Sequence, residues 1–160
     1  MDFELRAATV DDAMALGAMH VAAWREAYFP HILSAASFDV VTPEARGARY
    51  VDLLTTSTDT TWLAISGNEI VGHSTAVNAE PDAPGDLELV SIYILAKAYG
   101  SGAGQALLEA AIGDRSACLW VAAKNPRAIS FYRRNGFEPI GEPVRRTFIL
   151  DELDEIRMAR

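Results

Sequence analysis

The most constraining feature of this chain is a glycine-rich stretch that joins an extended segment to a helical one. It reads Tyr99-Gly100-Ser101-Gly102-Ala103-Gly104. Positions 87–95 before it are mostly apolar, and Leu107, Leu108, Ala111 and Ile112 give the segment after it one apolar helical face. Glycines leave backbone N–H groups unobstructed, and a helix N-terminus carries partial positive charge, so the loop suits an anion such as phosphate. An ordinary flexible loop is the alternative interpretation.

Two common nucleotide-binding motifs can be tested against this stretch. A P-loop ends in Gly-Lys-Ser/Thr, whereas Gly104 is followed by Gln105 and Ala106. A dinucleotide-binding fingerprint has the spacing G-x-G-x-x-G and an acidic residue ~20 positions on, at the end of the next strand. The spacing here is G-x-G-x-G, and the next extended segment ends in Ala-Ala-Lys. Both motifs are excluded.

Length, composition and net charge limit the number of domains and the classes of ligand that the chain can have. The chain has 160 residues, 50% of them apolar, which predicts a single domain over residues 1–160 with one substantial core. Fourteen basic and 22 acidic residues give a net charge of −8. Such a chain is poorly suited to nucleic acids or anionic membranes and better suited to an amine-bearing ligand.

Cysteine and histidine usage adds further expectations. Cys118 is the single cysteine, so no internal disulfide forms, and no Cys/His cluster has zinc spacing. We therefore expect no metal. The N-terminus shows no signal-peptide pattern, and no apolar run approaches the ~20 residues of a membrane span, which predicts a cytoplasmic protein.

Hydrophobic periodicity predicts one mixed α/β domain. The predicted strands are residues 3–8, 62–65, 70–77, 87–95, 117–122, 137–140 and 155–159. Four helices are predicted. The first ends near Tyr28, the second runs from Pro43 to Leu54, the third follows the glycine loop, and the fourth runs from Pro126 to Gly136.

A second segment reads Asn125-Pro126-Arg127-Ala128-Ile129-Ser130-Phe131-Tyr132-Arg133-Arg134-Asn135-Gly136-Phe137. It resembles the N-x-x-A-x-x-F-Y-x-x-x-G-F segment of the GNAT superfamily of acetyl-CoA-dependent N-acetyltransferases. The glycine stretch is similar to that family's Q/R-x-x-G-x-G/A loop at Gly102 and Gly104, and departs from it at Tyr99. The resemblance covers nearly the whole chain.

This resemblance implies a fold and a reaction. The fold is a twisted, mostly antiparallel sheet of about seven strands flanked by helices, with parallel fourth and fifth strands that splay apart around the cofactor. The reaction is transfer of an acetyl group from acetyl-CoA to an amine of a small molecule or protein, by direct attack in a ternary complex. The alternative is a non-catalytic, acyl-CoA-binding regulatory module. The protein is expected to be a monomer or a homodimer.

The resemblance also implies cofactor contacts. The loop amides bind the pyrophosphate, and backbone groups of Ile92, Tyr93 and Ile94 pair with the pantetheine arm like an added strand. Asn125 matches a residue that hydrogen-bonds pantetheine, although an asparagine before Pro126 also serves as a helix cap. The arginines of the same segment either meet the CoA phosphates or are ordinary exposed charges; they are Arg127, Arg133 and Arg134.

By the same resemblance, Tyr132 is the proton donor to the departing thiolate; the alternative is a core aromatic beside Phe131. Glu88 is the candidate general base, or else a solvated charge at a strand edge. Some peptide N-terminal acetyltransferases carry a glutamate on the fifth strand, where this chain has Trp120.

The acceptor pocket is expected to include Trp24 and Tyr28. Cys118 has no histidine partner suggested by sequence, so we expect no covalent intermediate. His20 and His73 are expected to be ordinary packed or surface residues.

Overall fold

A computed structural model describes residues 1–160, and its seven strands form one sheet. The strands are β1 Glu4–Ala7, β2 Thr61–Ser66, β3 Glu69–Asn78, β4 Leu87–Ile94, β5 Ala117–Ala122, β6 Glu138–Phe148 and β7 Asp151–Ala159. The helices are α1 Ala13–Tyr28, α2 Ala35–Val40, α3 Pro43–Thr56, α4 Ala103–Ile112 and α5 Pro126–Arg134. The spatial order is β1-β2-β3-β4-β5-β7-β6, and every pair is antiparallel except β4 with β5. The predicted fold class is confirmed.

Helices α1 and α3 pack against one face of the sheet at an unusually close crossing. A Cβ atom on Gly17 would lie 2.3 Å from the backbone nitrogen of Gly47, so position 17 needs glycine. Before α1, the Thr9 backbone N–H donates to the Asp12 carboxylate at 2.8 Å. The Arg6 guanidinium also bonds Asp12 and holds the pKa of that carboxyl well below its usual range. These contacts fix where α1 leaves β1.

The parallel strands β4 and β5 share only two residue pairs before they part. These are Leu87 with Ala117 and Glu88 with Cys118. On the other side, β4 stays paired with β3, with a register shift that leaves Val90 without a partner residue. The edge of β4 beyond Glu88 therefore faces a gap in the sheet, and β5 continues on the far side with β7.

Helix α4 anchors the strands around this gap. Its residues Leu107, Leu108 and Ile112 are fully buried, as the apolar spacing predicts. After α5, Gly136 has a φ of +83°, which ends the helix and turns the chain so that Phe137 enters the core. Helices α4 and α5 both begin beside the gap, so the loops that precede these two helices also lie beside it.

The last hairpin is longer than predicted, since β6 and β7 extend well beyond residues 137–140 and 155–159. Nearly every residue of β6 is exposed, so the strand has no buried face to impose an apolar alternation. Its turn is formed by Ile149, with a φ of +60°, and Leu150. Helix α2 was not predicted, because it has six residues and only Ser37 and Phe38 are buried.

A polar cluster is buried between α1, α3 and the sheet. The Nδ1 atom of His20 lies 2.7 Å from the Tyr50 hydroxyl, which in turn lies 3.3 Å from Nε2 of His73. Both imidazoles are buried, so of the two placements that the sequence allowed, packed or at the surface, the structure has the packed one. Burial lowers the pKa of His20 to about 2 and that of His73 to about 3, so both rings are neutral in the folded protein.

We expect these histidines to make the fold acid-sensitive. Because folding lowers both pKa values, the unfolded chain binds protons that the folded chain does not. The stabilisation is complete above the unfolded pKa of about 6.5 and falls below it, by up to about 1.4 kcal/mol per pH unit for each ring. Denaturant unfolding between pH 7 and 5 measures this slope.

The double variant His20→Gln, His73→Gln should flatten that slope, whereas His31→Gln, which alters an exposed histidine, should not. Paired carboxylates such as Asp12 lose their contribution to the free energy of unfolding only at lower pH, below about 5. An unchanged slope in the double variant would contradict the assignment.

Candidate functional site

A cavity of about 620 Å³ opens at the gap between β4 and β5. Most of the predicted cofactor-binding residues line it together with the predicted acid, namely Ile92, Tyr93, Ile94, Tyr99, Gly100, Gly102, Gly104, Asn125 and Tyr132. Two loop residues do not line it. The Ser101 hydroxyl donates to the Ala98 carbonyl at 2.7 Å, and Ala103 is fully buried. The structure thus brings the two sequence motifs to one cavity.

The glycine loop presents a set of free donors to this cavity. Gly100 and Gly102 have φ values of +77° and +90°, and no atom lies within 4 Å of a Cβ built at either position. The backbone N–H groups of Gly100, Gly102, Gly104 and Gln105 have no hydrogen-bond acceptor within the chain. Unpaired amides at the start of α4 are the arrangement that binds phosphate oxygens.

Tyr99 departs from the family pattern, but a guanidinium lies directly against it. The Arg127 guanidinium carbon is 2.9 Å from the centroid of the Tyr99 ring. Both residues line the cavity beside the glycine loop, and Arg127 is exposed at its mouth. A positive charge from α5 therefore lies against the residue that replaces Gln or Arg of the family's loop pattern.

Tyr132 lies deeper in the same cavity. Its side chain is buried and packs against Phe131 and Phe137, with ring centroids 5.5 and 5.8 Å away. Burial raises the pKa of its hydroxyl, which stays protonated at neutral pH. That hydroxyl has no hydrogen-bond partner within the chain, although the side chain lines the cavity. It is both held in the core and free to donate.

Asn125 is used for capping. Its Oδ1 atom accepts a hydrogen bond from the Ala128 backbone N–H at 3.1 Å, which starts α5. Its amide nitrogen has no partner within the chain, and the residue lines the cavity. One side chain therefore fits both interpretations made from the sequence.

A second cavity, of about 410 Å³, adjoins the first. Tyr28 and Tyr93 line both cavities, and their hydroxyls lie 3.4 Å apart. Burial raises the pKa of each hydroxyl. Glu88 lines only the second cavity and is half-buried there, so the predicted base and the predicted acid reach the gap from different sides.

Trp24 lines neither cavity. It is 5% exposed, and its ring meets Phe148 and Tyr93 at centroid distances of 5.2 and 6.0 Å. Trp24 therefore packs against two residues that line the second cavity without lining it itself. Trp120 lies in the wall between the two cavities.

Two charged residues of the second cavity were not predicted from the sequence, Arg146 on β6 and Glu155 on β7. Both lie on the hairpin whose extent was underestimated. The one signal was the two-residue spacing of Val144, Arg146 and Phe148, which places all three on one face of an extended strand.

Other features bear on ligand classes. No group of three or more His, Cys, Asp or Glu side chains is arranged to hold a metal ion. No helix is both long enough and apolar enough to span a bilayer.

Residues 57–139 match a protein family described as an acetyltransferase (GNAT) domain. A search of curated protein sequences finds no significant match.

Solved structures of similar fold cover nearly the whole chain. One is the PaiA N-acetyltransferase of Thermoplasma acidophilum in complex with coenzyme A, at 18% identity and a TM-score of 0.71, covering 99% of this chain and 98% of that one. The ribosomal-protein-alanine N-acetyltransferase of Brucella melitensis has 22% identity and a TM-score of 0.71, with 98% of both chains covered. The phosphinothricin acetyltransferase of Sinorhizobium meliloti in complex with AcCoA has 23% identity and a TM-score of 0.70, covering 100% of this chain and 88% of that one.

Proposed function

This chain belongs to the GNAT acetyltransferase family, and we propose that it is an N-acetyltransferase moving an acetyl group from acetyl-CoA to an amine by direct attack. The observation that carries the proposal is the cavity at the β4–β5 gap. It combines free loop amides, an unpaired strand edge and a buried tyrosine hydroxyl with no partner. Solved relatives of the same fold hold coenzyme A or AcCoA, which supports the same co-substrate here.

Acetyl-CoA fits the cavity by chemistry. Its pyrophosphate suits the amides of Gly100, Gly102 and Gly104, and its pantetheine amides suit the backbone edge of β4 at Ile92–Ile94. The free Asn125 amide nitrogen adds a donor beside that edge. Acetyl-CoA supplies the thioester, and the protein supplies position and proton transfer.

The reaction needs a neutral amine, stabilisation of the carbonyl oxygen and a proton for the leaving thiolate. The amine nitrogen attacks the carbonyl carbon, a C–N bond forms and the C–S bond breaks. The thiolate takes a proton from the Tyr132 hydroxyl. The proton lost by the amine goes to Glu88, directly or through water, because Glu88 is a carboxylate of the adjoining cavity.

A thiol-release assay with acetyl-CoA and a panel of primary amines tests the proposal. We expect CoA thiol and N-acetyl product to appear in equal amounts. CoA binding without thiol release for any amine would support the regulatory acyl-CoA-binding module instead.

Gly102→Val should abolish measurable CoA binding in calorimetry, because φ at +90° strains a β-branched residue and its side chain would enter the space of the phosphate. The matched control is Gly67→Val in the β2–β3 turn, where φ is +62° and a Cβ also meets no atom within 4 Å. The control is strained in the same way but lies outside the cavity, so its CoA affinity should be unchanged. Equal affinities in the two variants would contradict the loop's assignment.

Arg127→Leu should weaken CoA binding about tenfold, since a charged hydrogen bond to a phosphate is lost. Arg133→Leu removes a neighbouring exposed charge of α5 that does not line the cavity, and should have little effect. Titration with CoA and dephospho-CoA shows which phosphate is contacted. Equal affinity of both variants for CoA would remove Arg127 from the site.

Tyr132→Phe should lower kcat by a factor of ~10²–10⁴ with little change in CoA affinity, because it removes the proton donor and keeps the ring. Tyr50→Phe removes another buried hydroxyl, one that lies outside both cavities, and should leave kcat near the parent value. Melting temperatures identify any variant that is merely destabilised. A stable Tyr132→Phe protein with parental kcat across the pH range would show that the thiolate leaves unassisted.

A further inference from the structure

The register of four strands places the charged residues of the 410 Å³ cavity on one face of the sheet. Glu88 pairs with Cys118, two residues before Trp120, and strand residues two apart share a face. Trp120 pairs with Arg157, two residues after Glu155. Glu155 pairs with Val144, two residues before Arg146. The Glu88 carboxylate on β4 and the Arg146 guanidinium on β6 therefore lie on the same face of the sheet.

Arg146 is held in place but keeps free donors. Its guanidinium lies 4.1 Å from the Trp120 ring centroid, and its Nε atom lies 3.5 Å from the Glu155 carboxylate. Its two terminal nitrogens have no hydrogen-bond acceptor within the chain. A guanidinium fixed by stacking and by an ion pair on its Nε side presents a planar pair of donors, which matches a carboxylate.

Glu88 provides the opposite charge. Its carboxylate makes no hydrogen bond and no ion pair within the chain, and the residue lines the cavity beside the point where β4 and β5 part. An unpaired carboxylate there suits an ammonium group close to the thioester. The free donors of Arg146 in the same cavity match a carboxylate, whereas a polyamine carries no group that they could bind.

Apart from Thr147 and from Glu155, the ion-pair partner of Arg146, the remaining wall is apolar or aromatic and includes Ile32, Leu33, Leu89, Phe148 and Leu153. A cavity of about 410 Å³ suits a small molecule rather than an inserted protein segment. A largely apolar wall between the Arg146–Glu155 pair and the unpaired Glu88 carboxylate suits a zwitterion with an apolar body.

We propose that the acetyl acceptor is a free α-amino acid with an apolar side chain, whose carboxylate binds Arg146 and whose amine binds beside Glu88. This inference rests on the proposed N-acetyltransferase function and adds the substrate class. Arg146 is a binding and positioning residue that acts on the acceptor carboxylate.

The test compares acceptors that differ only in the carboxylate. Leucine, methionine and phenylalanine are each assayed beside the corresponding amino-acid amide, with saturating acetyl-CoA and thiol release as readout. The amide has a less basic, more readily deprotonated amine, so it should be the better acceptor if the carboxylate is not bound. We expect the free acid to have the higher kcat/KM by at least tenfold, as a charged bidentate contact implies.

Arg146→Gln should remove that preference by raising KM for the acids and leaving the amides unchanged, and Arg146→Lys should restore part of it. The matched control is Arg145→Gln, the next residue of β6, which faces away from the cavity and pairs with Asp154 at 3.5 Å. It should keep the parental preference. Melting curves accompany each variant, and the comparison of acids with amides in the parent protein needs no variant.

Each outcome decides the matter. Acetylation of amides as well as, or better than, acids overturns the amino-acid proposal and leaves the N-acetyltransferase function standing. No acetylation of any acid or amide overturns the amino-acid proposal, and the simple-amine panel then decides the N-acetyltransferase function separately. A preference for acids that persists in Arg146→Gln overturns the role of Arg146.

Discussion

The early parting of β4 and β5 is the constraint on which the rest of the structure depends. Two residue pairs hold the strands together, and beyond Glu88 each follows a different neighbour. The gap exposes a backbone edge in the middle of the sheet, where a strand would normally satisfy it. The loop before α4 and the start of α5 converge on the same gap, so both sequence motifs meet there although residues 105–124 separate them.

Much of this arrangement could be predicted because it rests on local chemistry. Gly102 is needed where φ is positive, and the spacing of Leu107, Leu108 and Ile112 describes one buried helix face. The hairpin of β6 and β7 could not be predicted in full, since almost all of β6 is exposed. Arg146 could not be placed in a cavity either, because its position depends on the register of four strands and on a shift between Ile140 and Val144.

The chain departs from its family's loop pattern at Tyr99 and differs from some relatives at Trp120, and in both cases a neighbouring element carries a charge to the same region. Tyr99 stands where Gln or Arg is usual, and Arg127 from α5 stacks on its ring. Trp120 stands where some relatives have a glutamate, and Glu155 and Arg146 from the last hairpin lie beside it. A comparison of motifs alone would indicate only that two polar side chains are missing. The aromatic side chains instead act as platforms that hold charged groups from elsewhere in the chain.

If acetyl-CoA pairs with the edge of β4 as proposed, the interrupted sheet also couples the stability of the protein to that ligand. A molecule that pairs with the edge of β4 contributes backbone hydrogen bonds that the polypeptide does not make for itself. Any ligand that binds only the folded chain stabilises it, by about 2.7 kcal/mol at a concentration one hundred times its dissociation constant. The lifetime of the folded protein in a cell would then follow the supply of acyl-CoA, and scarcity would leave more chain open to proteases. The gap would thus make protein abundance responsive to metabolism.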